Sequence, residues 1–372
     1  MKKDLLFSRR QALQSIGLAG ASLAMPSLAP WASAAAQPLP PIAPKDLTIA
    51  FGHAGAISGG GWELTHHQGR LAVEEMYPEI KCIEVENIPF SAKGTRIIRQ
   101  FVGQGAKMVF LTSSYDSLAA DVIKSAPDVA FLEGGSASSS DNKVAYYAQH
   151  WNPTYIIGVA AGLLTKTNKL GFVGGFPTQG ANMSMNALHL GARSVNPKIE
   201  TQAIYINSWS DPQAARQASA ALIQNGCDYL IGMLANAVYL QVAEEEGAWA
   251  STWNTDNRRL GPNAYVSSIL VDWKEFYKQE VKARIEGKWT GNRLELLKLG
   301  IGTDRDKWGA KVPENVAKQA DAVREKILQG TNVFTGEIKD GKGKVQVPAG
   351  HAMTIEECYF CDWVAEGITA KS

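Results

Sequence analysis

Three groupings in the sequence have the residue types for chemistry. The first is Ser58-Gly59-Gly60-Gly61, between a strand-like run and a helical one. No Gly-Lys-Ser/Thr follows it, so it is not a P-loop, and it does not give the Gly-x-Gly-x-x-Gly of a dinucleotide fold. Its glycines let the backbone turn and approach a ligand closely, and the helix start behind them offers free N–H groups. The second is His66-His67. Adjacent residues face different sides of a helix, and no His-x-x-x-His pair completes a metal site there. The third is Cys358-x-x-Cys361, with the spacing of a redox pair. No thioredoxin-like strand precedes it, Thr354 to Glu366 reads as a helix, and two cysteines alone lack the further ligands of a zinc site. Buried small hydrophobes or a local disulfide are the readings that remain. No Gly-x-Ser-x-Gly elbow is present. The sequence therefore predicts no catalytic residues, no metal and no cofactor, and the chemistry to look for is binding.

The elements that must position a binding site alternate regularly. Leu47–Phe51 predicts a strand, and Trp62–Met76 a helix with Leu64, Leu71, Val73 and Met76 on its periodic positions. Strands come next at 83–87, 108–111, 129–132 and 146–148, with helices at 91–104, 116–126 and 154–165. The pattern restarts at Leu170–Val173, with strands at 201–206, 229–232 and 266–270 and helices at 181–195, 212–224 and 237–246. Short apolar strands between helices of this length mean βαβ units and a parallel sheet. Two runs of the pattern predict two doubly wound α/β lobes with a cleft between them, and ligands in such sheets sit beyond the carboxyl ends of the strands. Beyond the strand ends of the first lobe lie Gly52 to Trp62, Thr112 to Tyr115 and Glu133. Beyond those of the second lie Phe176, Asn207 to Trp209, Met233 to Asn236, and Trp253 to Asp256, with Asp272-Trp273 at the return. Flat aromatics with a few hydrogen-bonding groups suit a planar ligand with polar edges, such as a nucleobase.

Lys and Arg total 37 against 36 Asp and Glu, a net charge of +1. No basic excess points to nucleic acid. The N-terminus has the three parts of an export signal: Lys2 and Lys3, a mild apolar run from Ile16 to Leu28, and small residues at Ala32 to Ala36. Ser8-Arg9-Arg10 predicts the twin-arginine route and hence the periplasm. The run is too short to span a bilayer and contains Pro26. Removing it leaves roughly 335 residues, enough for two domains. The expected organisation is a signal at 1–36, a first lobe at 46–152, a second lobe at 153–265, a return to the first at 266–305, and a C-terminal segment at 306–372 that is mainly second lobe and hinge.

Several motifs in order resemble one family over almost the whole exported chain. They are Gly60-Gly61-Trp62 with His66-x-Gln68-Gly69-Arg70, and Tyr155 through Gly158 to Gly162 with Thr165 to Lys169. Phe176-Pro177 and Asn186-Ala187 through Gly191 to Pro197 come next. Asn207-x-Trp209-x-Asp211-Pro212 and the segment from Phe334 to Lys344 complete the set. The sequence resembles the basic membrane protein family of ABC importer receptors, which includes purine nucleoside receptors, and most closely its proteobacterial nucleobase-binding branch. The resemblance implies a type I periplasmic binding fold with three hinge crossings, no enzymatic activity, and a permease and ATPase as partners of a monomeric receptor. A sensory module of the same fold, or a receptor for a non-purine heteroaromatic, is the alternative.

Carried over residue by residue, the resemblance implies ligand contacts at Trp62, His67, Glu133, Trp151, Phe176, Trp209, Asn236, Asp256 and Asp272. His66 and Arg70 are expected to be structural. Each candidate has a plainer alternative: lobe packing for Trp151 and Trp209, pairing with Arg258 or Arg259 for Asp256, a helix cap for Asp272. The branch usually carries Asp where this chain has Gly59, and an acidic residue within the stretch corresponding to Leu234-Ala-Asn236-Ala. Carboxylates accept hydrogen bonds only, so their loss favours a ligand richer in acceptors, such as an oxidised, carbonyl-rich purine.

Overall fold

The computed structural model describes residues 36–371, so the export signal read at 1–36 lies outside the described residues apart from Ala36. The lead-in is extended and fastened. Leu39 N–H donates to the Trp289 carbonyl at 3.0 Å, and the Arg284 guanidinium donates to the Pro40 carbonyl at 2.6 Å.

The first half contains β1 (Thr48–Gly52), α1 (Gly61–Met76), β2 (Lys81–Val85), α2 (Ala92–Gly103), β3 (Met108–Leu111), α3 (Asp116–Ser125), β4 (Ala130–Gly134) and β5 (Lys143–Ala148). The second contains α4 (Trp151–Leu164), β6 (Lys169–Gly174), α5 (Gln179–Arg193), β7 (Glu200–Tyr205), α6 (Pro212–Gln224), β8 (Tyr229–Met233), α7 (Val238–Glu246), β9 (Trp249–Asn254) and β10 (Tyr265–Val271). Then come α8 (Lys274–Ile285), β11 (Arg293–Leu299), β12 (Gly302–Arg305) and α9 (Glu314–Leu328). The chain ends with β13 (Ile338–Lys339), β14 (Val345–Val347), α10 (Ile355–Tyr359) and β15 (Ile368–Lys371).

Both halves repeat one topology. The first orders its strands β2-β1-β3-β4-β5 and the second β7-β6-β8-β9-β10, all parallel. In each, the order reverses beside the first strand, which is where a doubly wound sheet opens a crevice. The halves join through β11, parallel to β5, and β12, antiparallel to β10. β10 therefore completes the second half, and the return is carried by α8, which packs on α1, and by β11. β15 adds an edge strand beside β7. Four apolar clusters cover both faces of both half-sheets. This is why β3 and β8 are buried at every residue and show no alternation.

One expectation changes. The helix read over Thr354–Glu366 is only Ile355–Tyr359, opened by a capping box of Thr354 and Glu357. Beyond Phe360 the chain is captured in extended form: Asn186 donates to the Trp363 carbonyl at 3.0 Å and accepts the Ala365 N–H at 2.8 Å. Tertiary hydrogen bonds outweigh local helix propensity there. Cys358 and Cys361 are buried free thiols, and burial pushes them up to about 12 and about 11, so they stay protonated and inert.

The glycine-rich motif of α4 has a packing cause. A Cβ at Gly158 would clash with the Leu188 carbonyl, one at Gly162 with the Ala192 carbonyl, and one at Gly191 with the Tyr155 carbonyl. The α4 and α5 backbones approach too closely for side chains. Gly162→Val is expected to destabilise the protein by about 1–3 kcal/mol, read as a lower denaturation midpoint. An unchanged midpoint contradicts the close packing.

Candidate functional site

The two crevices face one another. Gly61 opens α1 in the first half with φ +56°, and a Cβ there would lie 2.9 Å from the Ala235 carbonyl in the β8–α7 turn of the second. Next to it, the Trp62 indole N–H donates to the Thr112 carbonyl at 2.8 Å, tying α1 to the end of β3 across the first switch point. The Trp62 ring lies 5.4 Å from the Tyr147 ring and 5.4 Å, edge-on, from Trp273. Tyr147 near the end of β5 lies edge-on to His150 at 5.3 Å, and His150 lies 5.0 Å from Trp253 of β9. A chain of rings therefore runs from the first half through the crossing at 148–151 into the second. Gly180, in the first turn of α5, borders the same place. A Cβ there would lie 3.0 Å from Tyr147 Oη, 3.6 Å from His150 Nε2 and 3.7 Å from the Met233 methyl.

Some of the buried polar atoms without partners belong to residues at or beside this junction. His150 Nε2, Asn236 Nδ2 and Asn254 Oδ1 are enclosed and make no hydrogen bond. Asn236 lies in the turn that meets Gly61, and its Oδ1 accepts from Val238 N–H at 3.2 Å, which leaves Nδ2 as the open end. Asn254 closes β9 with φ +70°. Leaving a buried polar group unpaired costs about 1–3 kcal/mol, and such groups in native proteins are met by water or another partner. Burial lowers His150 to about 3, so it is neutral, and burial raises Tyr147, so it keeps its phenolic proton.

The expected contacts divide on this geometry. Trp62 stands at the junction, and Asn236 beside it. Trp151 opens α4, 3 % exposed, edge-on to His150 at 5.4 Å. Phe176 and Trp209 form an edge-on pair at 5.3 Å beyond β6 and β7. Trp209 is 37 % exposed and lies over Gly175, and its carbonyl accepts Ala235 N–H at 2.8 Å. This pair forms the rim beside the interlobe contact.

Four residues are engaged elsewhere. Glu133 is fully enclosed: it accepts the Tyr115 and Asp116 N–H groups at 2.5 and 2.7 Å and pairs with Lys143 at 2.7 Å, so it caps α3 and anchors β5. Asp256 is exposed and pairs with Arg258 at 2.8 Å. Asp272 is exposed and accepts Lys274 N–H at 3.0 Å, a cap for α8. His67 meets Glu84 of β2 at 2.9 Å. His66 has the structural place expected of it, fully buried, bonded to Tyr277 Oη at 2.5 Å and stacked on Trp273 at 4.7 Å. Tyr147 and His150 were not among the candidates. The strand-end rule that found the others points to them too, because both lie at or just beyond the end of β5.

A surface groove of about 460 Å³ is lined by Gln149, Arg293, Glu295, Lys298, Ile355 and Glu356. Arg293 in it is already paired with Glu280 and Glu295. Among the described residues no group of three or more His, Cys, Asp or Glu is arranged to hold a metal, and no helix is long and apolar enough to cross a membrane.

Behind the cleft loop sits an ionic network. His53, fully buried after β1, bonds Glu63 and Glu84 at 3.0 Å each, and Arg70 reaches Glu84 at 3.0 Å. Glu63 also accepts Gly55 N–H at 3.0 Å, so the network fixes the loop that carries Gly60 and Gly61. Burial opposes charge on His53, but Glu63 and Glu84 outweigh it and raise the imidazole. Burial likewise opposes charge on Glu84, but His53, His67 and Arg70 hold it down at about 2. The Glu84 contribution is present above an unfolded value of about 4.3 and is lost as pH falls through about 2. The His53 contribution is present below about 6.5 and is lost as pH rises through its raised value. The network therefore stabilises most between those two unfolded values. Glu84→Gln is expected to lower the melting temperature at pH 5.5 and to flatten the fall below pH 4 in a melting series. A variant with the parent's acid limb contradicts the assignment.

Comparison with known proteins agrees with this architecture. A family model, Bmp, described as ABC transporter substrate-binding protein PnrA-like, matches residues 47–341. A putative ABC transporter glucose-binding protein of Haloferax volcanii is 30% identical over 80% of this chain and 76% of its own. A purine-binding protein of Brucella abortus is 29% identical over 88% of this chain and 95% of its own. An ABC transporter solute-binding protein structure from Conexibacter woesei superposes with a TM-score of 0.62 at 19% identity, covering 76% of this chain and 97% of that one. The fold is the type I periplasmic binding architecture of two doubly wound lobes and an interlobe cleft. Nothing in the family or the site points to catalysis. The chain is an ABC transporter substrate-binding protein and belongs to the Bmp, or PnrA-like, family.

Proposed function

We propose that this protein captures a planar, purine-like solute between its lobes and delivers it to an ABC permease and ATPase. The observation that carries this reading is the junction itself. Aromatic rings from both halves, Trp62, Tyr147 and Trp253, surround enclosed polar atoms that lack partners. Stacking supplies area, and unpaired donors and acceptors read ring edges. The purine-binding relative supports the ligand class. Glu133 is engaged internally, and Gly59 and Asn236 stand where the nucleobase branch is acidic. The ligand that fits is therefore rich in carbonyl acceptors, such as xanthine or urate, rather than an amino-purine.

The same proposal places the mature protein in the periplasm as a monomer, exported by the twin-arginine machinery on the strength of Ser8-Arg9-Arg10. It takes the first lobe as 46–152 and the second as 153 to the end of β10 at Val271, with α8 and β11 as the return. Phe176, Trp209 and Trp151 act as rim and wall. The glucose-binding relative favours a second reading, a sugar in the same cleft.

Titration calorimetry with xanthine, urate, adenine and glucose separates these. Xanthine or urate is expected to bind, and to raise the melting temperature by mass action on the folded state. Trp253→Ala is expected to weaken binding tenfold or more, about 1.4 kcal/mol, with the fold retained. Adenine bound more tightly than xanthine overturns the ring preference, and glucose bound in place of any purine overturns the ligand class.

A further inference from the structure

We propose that His150 is a tautomer-locked hydrogen-bond donor, and that with Tyr147 and the first turn of α5 it forms a subsite for an acceptor-only oxygen or ring nitrogen of the ligand. The proposal rests on the cleft being the binding site, and it names the group that orients the solute there.

The lock comes from Ser184. Its hydroxyl lies 2.8 Å from His150 Nδ1, and both residues are 1 % exposed. A hydroxyl and a neutral imidazole nitrogen can share that bond in either direction. Ser184 Oγ has no other hydrogen-bond partner among the described residues. If it only accepted, its own proton would be buried without an acceptor, at a cost of about 1–3 kcal/mol. Donating to Nδ1 removes that cost and places the imidazole proton on Nε2. The imidazole is neutral, because burial disfavours its charged form, so one nitrogen is an acceptor and the other a donor. The acceptor is taken by Ser184. The donor, Nε2–H, is enclosed and unpaired.

Three kinds of donor converge in front of it. His150 Nε2 and Tyr147 Oη lie 3.6 and 3.0 Å from the point where a Cβ on Gly180 would stand. Gly180 itself is in the first turn of the fifteen-residue helix α5, where Thr178 caps the Ala181 N–H and the other leading N–H groups point out of the helix end. That end carries partial positive charge. The neighbours of Gly180 on this side, Tyr147, His150 and Met233, carry no negative charge. A carbonyl oxygen or an unprotonated ring nitrogen satisfies this set, whereas an amino group would place donor against donor. A methyl on Gly180 would press on Tyr147 Oη and lie against His150 Nε2, so alanine there crowds both donors.

The tautomer can be read without any ligand. Two-bond proton–nitrogen correlation spectra of the full chain, labelled with nitrogen-15 at its six histidines, report which ring nitrogen carries hydrogen. The His150 signals are identified by their loss in His150→Phe. The expected form is Nε2–H in the parent, and a mixture of both tautomers in Ser184→Ala. Calorimetry then compares xanthine with adenine on the parent, His150→Phe, Ser184→Ala and Gly180→Ala. His150→Phe is expected to lose at least tenfold in xanthine affinity. Ser184→Ala, which does not line the subsite, is expected to lower the ratio of xanthine to adenine affinity about fivefold. Gly180→Ala is expected to weaken xanthine while the Nε2–H form persists. An Nδ1–H form in the parent overturns the lock, and an unchanged ratio in both His150→Phe and Ser184→Ala overturns the subsite. A parent protein that binds glucose and no purine instead overturns the ligand class, and the spectra still decide the lock.

Discussion

The two lobes meet where no side chain fits. Gly61 carries a positive φ, and any Cβ on it would press on the Ala235 carbonyl of the opposite lobe. An L-residue there would be strained by its backbone and blocked by its neighbour. The residues on either side of that contact line the junction. Trp62 comes directly after and is pinned to Thr112. Asn236 comes after Ala235 on the facing side. The network of His53, Glu63 and Glu84 holds the loop from behind.

The repeat of one topology in both halves explains why the surfaces match. Each half-sheet is covered by helices on both faces, so the ends of its strands are the open places left for function. The crossing after β5 joins the two crevices, and it carries Tyr147 and His150 into the middle of the site. A residue at a crossing touches both lobes and senses their separation directly. Residues deeper within a lobe, such as Glu133 and His67, are drawn into that lobe's own hydrogen bonds.

The doubly wound halves were legible because β-strands without alternation and helices of regular length leave clear patterns. The places of Trp62 and Asn236 at the junction were legible because both stand beyond strand ends. Acidic residues were harder to place. Glu133, Asp256 and Asp272 stand beyond or at strand ends too, but Glu133 finds two N–H groups and a lysine, Asp256 finds Arg258, and Asp272 finds the start of α8. Sequence position does not say which partner a carboxylate finds. The segment after Phe360 misled for a similar reason: it has helical composition, but Asn186, far off in sequence, holds it extended. Glycines at 158, 162 and 191 carried much of the family resemblance, and their role is helix packing rather than ligand contact.

A crystal structure of the protein with its co-purified or added solute tests the central claim most directly. The expected density is a flat ring system enclosed by Trp62, Tyr147 and Trp253, with an oxygen or bare ring nitrogen within hydrogen-bond distance of His150 Nε2. A solute held in the surface groove by Arg293 and Glu356, or one in the cleft that leaves His150 and Asn236 still unpaired, would contradict it.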